Sequence, residues 1–166
     1  MLRIGHGFDL HRTGAGGPLI LGGVRIPWDR HLIGHSDADV LLHAVTSAVL
    51  GALALGDLGH WFPDTNPDLR GADSRGLLRT VLEAPAVQGW ELVNLDSTVI
   101  AEQPRLAPHV QGIRDSLAGL FAVPTDRVSV KATTHEGVDA LGRGDAIAAH
   151  AVVLLARLAP GTSGGP

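Results

Sequence analysis

The sequence predicts a single α/β (α+β) domain in which helices pack on a mixed β-sheet. Three observations carry that reading. The chain has 166 residues, about one domain's worth. Hydrophobic residues make up 45% and charged residues 18%, the composition of a chain that can bury a core rather than stay disordered. Segments with strand character alternate with segments of helix character, and a hairpin signal stands near the start.

Taken in order, residues 2–11 read as a strand that becomes polar late. Leu19-Ile20-Leu21 and Val24-Arg25-Ile26 flank Gly22-Gly23, the pattern of a tight hairpin. Residues 37–55 read as a helix, with Ser36 or Asp37 as its cap and Gly56 as its stop. That helix is apolar on nearly all sides, so it belongs in the interior. Residues 57–70 form a polar, proline-rich loop. A second helix starts at Asp73 or Ser74 and fades at Pro85. Residues 91–101 read as a strand, and residues 108–120 as a helix opening on Pro108. Residues 127–133 are a strand. Residues 145–158 are apolar on both faces, which suits a central or interface strand. The domain is expected over residues 1–158, with a disordered tail at 159–166 rich in glycine and proline.

The composition excludes several classes. The formal net charge is −4, so no basic field is available for nucleic acid. There is no cysteine, so disulfide and thiolate chemistry are absent and a metal would need nitrogen and oxygen ligands. The start lacks the apolar core of a signal peptide. The longest apolar stretch, residues 44–58, is broken by Thr46, Ser47 and Asp57 and is too short for a bilayer. A cytoplasmic protein with no membrane partner is expected. Nine histidines are present, five of them in the first 43 residues, and aspartate outnumbers glutamate 13 to 4. An aspartate and histidine surplus near one end points to a site, because a solvated helical surface favours glutamate and lysine.

Asp9 and His11 are two residues apart, which on a strand puts both side chains on one face, roughly 7 Å apart. His43, early in the buried helix, could join them as a third ligand. One carboxylate and two imidazoles with an open position is the composition of a catalytic metal site. Asp9 as a turn cap and His43 as a satisfied core histidine is the competing structural reading. Asp37 and Asp39 suit the first turn of the helix. Asp39 is also four residues before His43, where a carboxylate could support a ligating imidazole. Loops as long as residues 57–70 usually carry function, although turn formers alone would also explain it. Residues 131–137 (Lys-Ala-Thr-Thr-His-Glu-Gly) end a strand with hydroxyls and amides suited to phosphate oxygens. Gly142-Arg143-Gly144 reads as an anion contact or an ordinary turn.

These segments together resemble the 2-C-methyl-D-erythritol 2,4-cyclodiphosphate synthase family of non-mevalonate isoprenoid biosynthesis. The resemblance lies in residues 3–11 (Arg-Ile-Gly-His-Gly-Phe-Asp-Leu-His), 21–27 (Leu-Gly-Gly-Val-Arg-Ile-Pro) and 35–39 (His-Ser-Asp-Ala-Asp) with His43. It continues in 55–59 (Leu-Gly-Asp-Leu-Gly), 62–65 (Phe-Pro-Asp-Thr), 71–75 (Gly-Ala-Asp-Ser-Arg), 130–134 (Val-Lys-Ala-Thr-Thr) and Gly142-Arg143-Gly144. It runs in order from about residue 2 to 157.

The resemblance implies a homotrimer with active sites between subunits. It implies attack of the 2-phosphate of 4-diphosphocytidyl-2-C-methyl-D-erythritol 2-phosphate on its own β-phosphorus, with release of CMP. It implies Zn2+ on Asp9, His11 and His43, and a second ion, Mg2+ or Mn2+, on Glu136. His35 and Thr134 would stabilise the transferring phosphate, with Glu136 also catalytic. The substrate would lie against Asp9, His11, His35 and Ser36. Its methylerythritol end would meet Asp57, Leu58 and Gly59, then Phe62, Pro63, Asp64, Thr65 and Asn66. Its cytidine would meet Ala101, Pro104, Arg105 and Leu106 with Ala132, Thr133 and Thr134, and His135 adjoins that pocket. Ala140, Arg143 and Phe8 match an axial cavity in which the family binds an isoprenoid diphosphate. Three positions depart from the family: His135 stands for threonine, Ser47 for aspartate and Ala140 for phenylalanine.

Two other functions compete on the residues alone. A carboxylate and two histidines also make the facial triad of non-haem iron oxygenases, although the Asp-x-His order and the lack of a cosubstrate site count against it. A metal-stabilised trimer that senses an isoprenoid diphosphate is the other, and it would not need Asp57, Thr134 or Glu136.

Overall fold

A computed structural model describes residues 1–157. The chain runs β1 (Leu2–Ala15), β2 (Leu19–Leu21), β3 (Val24–Ile26), β4 (Arg30–Ile33), α1 (Val40–Ala52), α2 (Leu58–Trp61) and α3 (Ser74–Glu83). It continues with β5 (Trp90–Ile100), α4 (Val110–Phe121), β6 (Val128–Thr133), α5 (Asp139–Gly142) and β7 (Ala146–Arg157). The expected tail, residues 159–166, lies outside the described residues.

Five strands form one sheet in the order β4-β1-β7-β5-β6. Only the β5–β6 pair is parallel, so the sheet is mixed as the alternation of elements predicts. The apolar strand β7 is central, paired with β1 over Leu2↔Ala156 to Arg12↔Ala146 and with β5 on its other side. The β2–β3 hairpin turns at Gly22 and Gly23, whose φ values of 59° and 76° require glycine-like freedom at both turn positions.

One helix, α1, is enclosed on nearly every side and lies across β1 and β7. Its approach depends on small residues. A Cβ at Gly5 would sit 1.9 Å from the Ala48 carbonyl oxygen, and one at Gly7 1.9 Å from that of Ala44. Leu41, Leu42, Val45 and Val49 of α1 close the core with Leu95, Ile113, Leu117 and Ile147.

Four expectations need correction. The cap of α1 is Asp39, not Ser36 or Asp37; its carboxylate accepts the Leu42 amide at 3.0 Å. The same carboxylate also accepts the Gly22 and Gly23 amides at 2.9 and 2.7 Å, so the hairpin turn selects which acid caps the helix. The helix ends at Ala52, because Ala54 takes a left-handed φ of 57° before Gly56 is reached. Strand β1 extends to Ala15, because its last four residues pair with β4, an edge strand too short for periodicity to reveal. The helix expected from Pro108 begins as a 3-10 turn over Ala107–His109, and α4 follows.

Among the described residues, the face of the sheet opposite α1 carries only the short α5, whose Leu141 packs on Ala146, Ala148 and Ile100 at one end. There Ile4, Phe8 and Leu10 of β1 are 71%, 50% and 44% exposed. Among the described residues, no helix is long and apolar enough to cross a membrane.

Candidate metal centre and substrate clefts

Strand alternation sends Asp9 and His11 to the α1 side of the sheet, where Gly5 and Gly7 also lie. The close approach those glycines permit brings His43 of α1 onto the pair. His43 Nδ1 and His11 Nε2 each lie 2.9 Å from Asp9 Oδ2, and 3.0 Å from each other. His43 is 7% exposed, and the site opens on the Asp9 and His11 side.

Hydrogen bonds on the far side of each ring fix which nitrogen is free. His11 Nδ1–H donates to the Ile33 carbonyl at 3.1 Å, leaving its Nε2 lone pair for the site. The Ser74 hydroxyl donates to Asp37 Oδ1, so its oxygen accepts from His43 Nε2–H at 3.0 Å. Ser36 Oγ lies 3.0 Å from the same nitrogen. His43 Nδ1 is therefore also an acceptor facing the site. The support for His43 is the Asp37–Ser74 pair. Asp39, which its spacing proposed for that role, is committed to three backbone amides and is fully buried.

Three converging atoms, each able to present a lone pair to one point, are a donor set for a metal ion. An ion with bonds of 2.0–2.1 Å in tetrahedral geometry needs donor edges of about 3.3 Å. The edges of about 3 Å open to that by a few tenths of an ångström, so the residues fit. Without an ion, the cluster holds itself by charge. Burial pushes the Asp9 carboxyl up, but hydrogen bonds and charge from His11 and His43 outweigh it and hold it well below the carboxylate range. Burial opposes the His11 imidazolium, yet the Asp9 hydrogen bond and charge raise its pKa.

Removing the support should be visible. Ser74→Ala is expected to weaken metal binding by about tenfold, the lower end of the usual 10–100-fold, because Ser36 still contacts the ring. A chelator competition series checks this.

The triad forms one wall of a cleft of about 700 Å3. His35, Ser36, Leu58, Gly59, Phe62, Pro63, Asp64 and Thr65 line it, and Leu69 and Leu77 add apolar wall that sequence reasoning missed. Asp57 and Asn66 instead support the loop: Asp57 Oδ1 accepts the His60 amide as the cap of α2, and Asn66 Oδ1 accepts that of Asp68. The Asn66 carbonyl lies 3.1 Å from His35 Nε2 and so holds that ring at the rim.

A second cleft, of about 220 Å3, gathers Ala101, Pro104, Arg105 and Leu106 with Ala132, Thr133 and Thr134. It sits at the β6 edge. Three strand spacings, about 14 Å, separate β6 from β1 and hence this cleft from the triad. Glu136 is exposed beyond that edge and does not join the triad within one chain. Its loop is pinned by Glu102, whose carboxylate accepts the His135 amide at 2.8 Å; sequence reasoning gave Glu102 no part. His135 pairs with Asp139 at 3.1 Å. Ala140 and Arg143 line neither cleft. They share a third cavity, of about 480 Å3, with Leu10, Arg12 and Asp145.

The YgbB family model matches residues 2–156. The chain is 56% identical over 154 residues to the 2-C-methyl-D-erythritol 2,4-cyclodiphosphate synthase of Geobacter sulfurreducens, covering 93% of this chain and 98% of that one. A solved 2C-methyl-D-erythritol-2,4-cyclodiphosphate synthase in a CDP-bound form superimposes with a TM-score of 0.84 at 39% identity, covering 93% of this chain and all of that one. The bifunctional IspDF of Campylobacter jejuni superimposes with a TM-score of 0.90 at 37% identity, covering 95% of this chain and 43% of the longer one. With the site geometry, these matches place the chain in the YgbB family, that of the 2-C-methyl-D-erythritol 2,4-cyclodiphosphate synthases.

Proposed function

We propose that the chain converts 4-diphosphocytidyl-2-C-methyl-D-erythritol 2-phosphate into the 2,4-cyclodiphosphate with release of CMP. We propose further that it does so as a homotrimer whose active sites lie between subunits. The observation that carries this is the separation of two clefts that one substrate must bridge. The triad cleft is on β1 and α1, and the cleft matching the family's cytidine pocket is at the β6 edge. A neighbouring copy that presents its β6 edge to the triad of the first completes the site. The CDP-bound relative supports a nucleotide ligand.

The reacting oxygen belongs to the substrate. A phosphate monoester has a second pKa of about 6, so the 2-phosphate is largely ionised at neutral pH and needs no strong base. Its oxygen bonds to the β-phosphorus, the bond from that phosphorus to the bridging oxygen breaks, and the electron pair leaves on CMP. Such transfers depend on positioning and charge neutralisation more than on covalent help from the protein. Zinc on Asp9, His11 and His43, with Mg2+ or Mn2+ on Glu136, would supply that neutralisation as Lewis acids. The chain's own groups orient and enclose. His35, braced by the Asn66 carbonyl, presents its ring at the cleft rim, and the Thr134 hydroxyl stands at the nucleotide end. The apolar wall of Phe62, Leu69 and Leu77 excludes water from the methylerythritol end. The third cavity, where Arg12 and Arg143 supply charge, would take an isoprenoid diphosphate in the assembled trimer, with a smaller apolar wall because Ala140 replaces phenylalanine.

Subunit mixing tests the shared site. His43→Ala and Glu136→Gln chains are each expected to be nearly inactive, with Glu136→Gln retaining its triad metal. Co-produced in equal amounts, they form cyclic trimers by head-to-tail contacts. About a quarter of the interfaces then pair an intact His43 with an intact Glu136, and CMP release returns to about a quarter of the wild-type rate. No recovery in mixed trimers would place both residues in one chain's site.

A further inference from the structure

We propose that His6 and His150 form a second binding site, separate from the triad, for a divalent transition-metal ion on the face of the sheet opposite α1. In the β1–β7 ladder His6 pairs with Val152 and Phe8 with His150, which makes the two histidines diagonal neighbours. Side chains at such positions are within reach of each other. His6 Nε2 meets His150 Nδ1 at 3.1 Å, and the rings stack with centroids 5.4 Å apart. The Phe8 ring packs against His150 at a centroid distance of 4.8 Å and restricts its swing. Both histidines stand on the two strands that share eleven consecutive register pairs, a rigid mount for two ligands. Alternation puts His6 on the opposite side of β1 from Asp9 and His11, so the two sites are independent.

The pair has the marks of a donor set rather than of an ion pair. Among the described residues, these two ring nitrogens meet only each other. The nearby carboxylate on that face, Asp96, stands opposite Val152 and is held by Lys131 at 2.5–2.7 Å. Two imidazoles brought nitrogen to nitrogen at this distance can share a single proton or a cation. Two metal–nitrogen bonds of 2.0–2.1 Å at angles between square and tetrahedral span about 2.9–3.4 Å, and the observed separation falls within it. Imidazoles without carboxylate select nickel, copper or zinc over magnesium or calcium. An ion here bridges β1 and β7, with its open positions filled by water. In the trimer proposed above, other copies covering Ile4 and Phe8 could fill them instead, but the two-histidine site does not depend on that assembly.

The test is calorimetric titration of Ni2+ into protein whose triad is already zinc-loaded, with excess zinc removed. Wild type is expected to take up nickel while keeping one zinc per chain. His150→Ala and His6→Asn should each bind nickel at least about tenfold more weakly, with zinc content and CMP release retained. The asparagine variant keeps a polar group, so a packing defect alone would not reproduce its loss. One nickel per chain would mean that each pair chelates alone, one per three chains that copies share the ion; both support the site. Equal nickel binding by wild type and both variants, or none by wild type, overturns it. Equally tight uptake of Mg2+ also overturns it, since nitrogen donors would not produce that. Loss of CMP release in wild type with nickel binding intact would count against the proposed reaction and not against this site.

Discussion

Replacing His43 with alanine is expected to empty the triad and lower CMP release by at least about a thousandfold. Charge neutralisation by a bound metal contributes several kcal/mol to such reactions, and each 1.4 kcal/mol is about tenfold. His43 supplies one of three donors and is the most enclosed of them, with Ser36 and Ser74 behind its ring. Without it, Asp9 and His11 remain on an open strand face with two donors only. Alanine suits a helix interior, so α1 itself should persist. Elemental analysis of the purified variant, circular dichroism and a CMP-release assay separate the effects. Wild-type turnover from folded, metal-free variant would sink the metal assignment.

Gly7→Ala is expected to produce, with Gly5→Ala, the largest loss of stability of any one-carbon change on this strand. The new Cβ would lie 1.9 Å from the Ala44 carbonyl oxygen and 2.7 Å from the Ala48 amide nitrogen. Both are backbone atoms of α1, so no rotamer change relieves the contact and the helix must move off β1. Ordinary overpacking costs about 1–3 kcal/mol, and a clash with backbone should reach or exceed the top of that range. The displacement also carries His43 away from Asp9 and His11, so metal affinity should fall with stability. Gly112→Ala in α4 is the control. Nothing lies within 4 Å of a Cβ there, and the change should stabilise by about 0.5–1 kcal/mol. Urea unfolding of both variants checks the contrast; equal midpoints would show that α1 does not press on β1 as described.

The parts of this site legible in the sequence are those set by local periodicity. Asp9 and His11 share a face because a strand alternates, and His43 points inward because its helix is apolar all round. The hairpin at Gly22-Gly23 and the central place of β7 are legible for the same reason. What was hidden depends on contacts between distant segments. Asp39 resembles a partner for His43 by spacing, yet the hairpin amides 16 and 17 residues earlier claim its carboxylate. Ser74, 31 residues from His43, carries no local signal for its contact with that ring. Strand β4 is four residues long and has one buried side chain, too little for a pattern. The distance of Glu136 from the triad follows from the strand order, which periodicity does not encode. The lining of the two clefts was legible only through family resemblance. That resemblance does not show that Asp57 and Asn66 each cap a helical turn, or that Ala140 and Arg143 line a third cavity.

The most direct test of the proposed chemistry is phosphorus NMR of the zinc-loaded protein with 4-diphosphocytidyl-2-C-methyl-D-erythritol 2-phosphate and magnesium, recorded with and without EDTA. The account predicts that the substrate resonances give way to those of a cyclic diphosphate and CMP, and that chelation stops the conversion. Unchanged substrate in the presence of folded, zinc-loaded protein would contradict it.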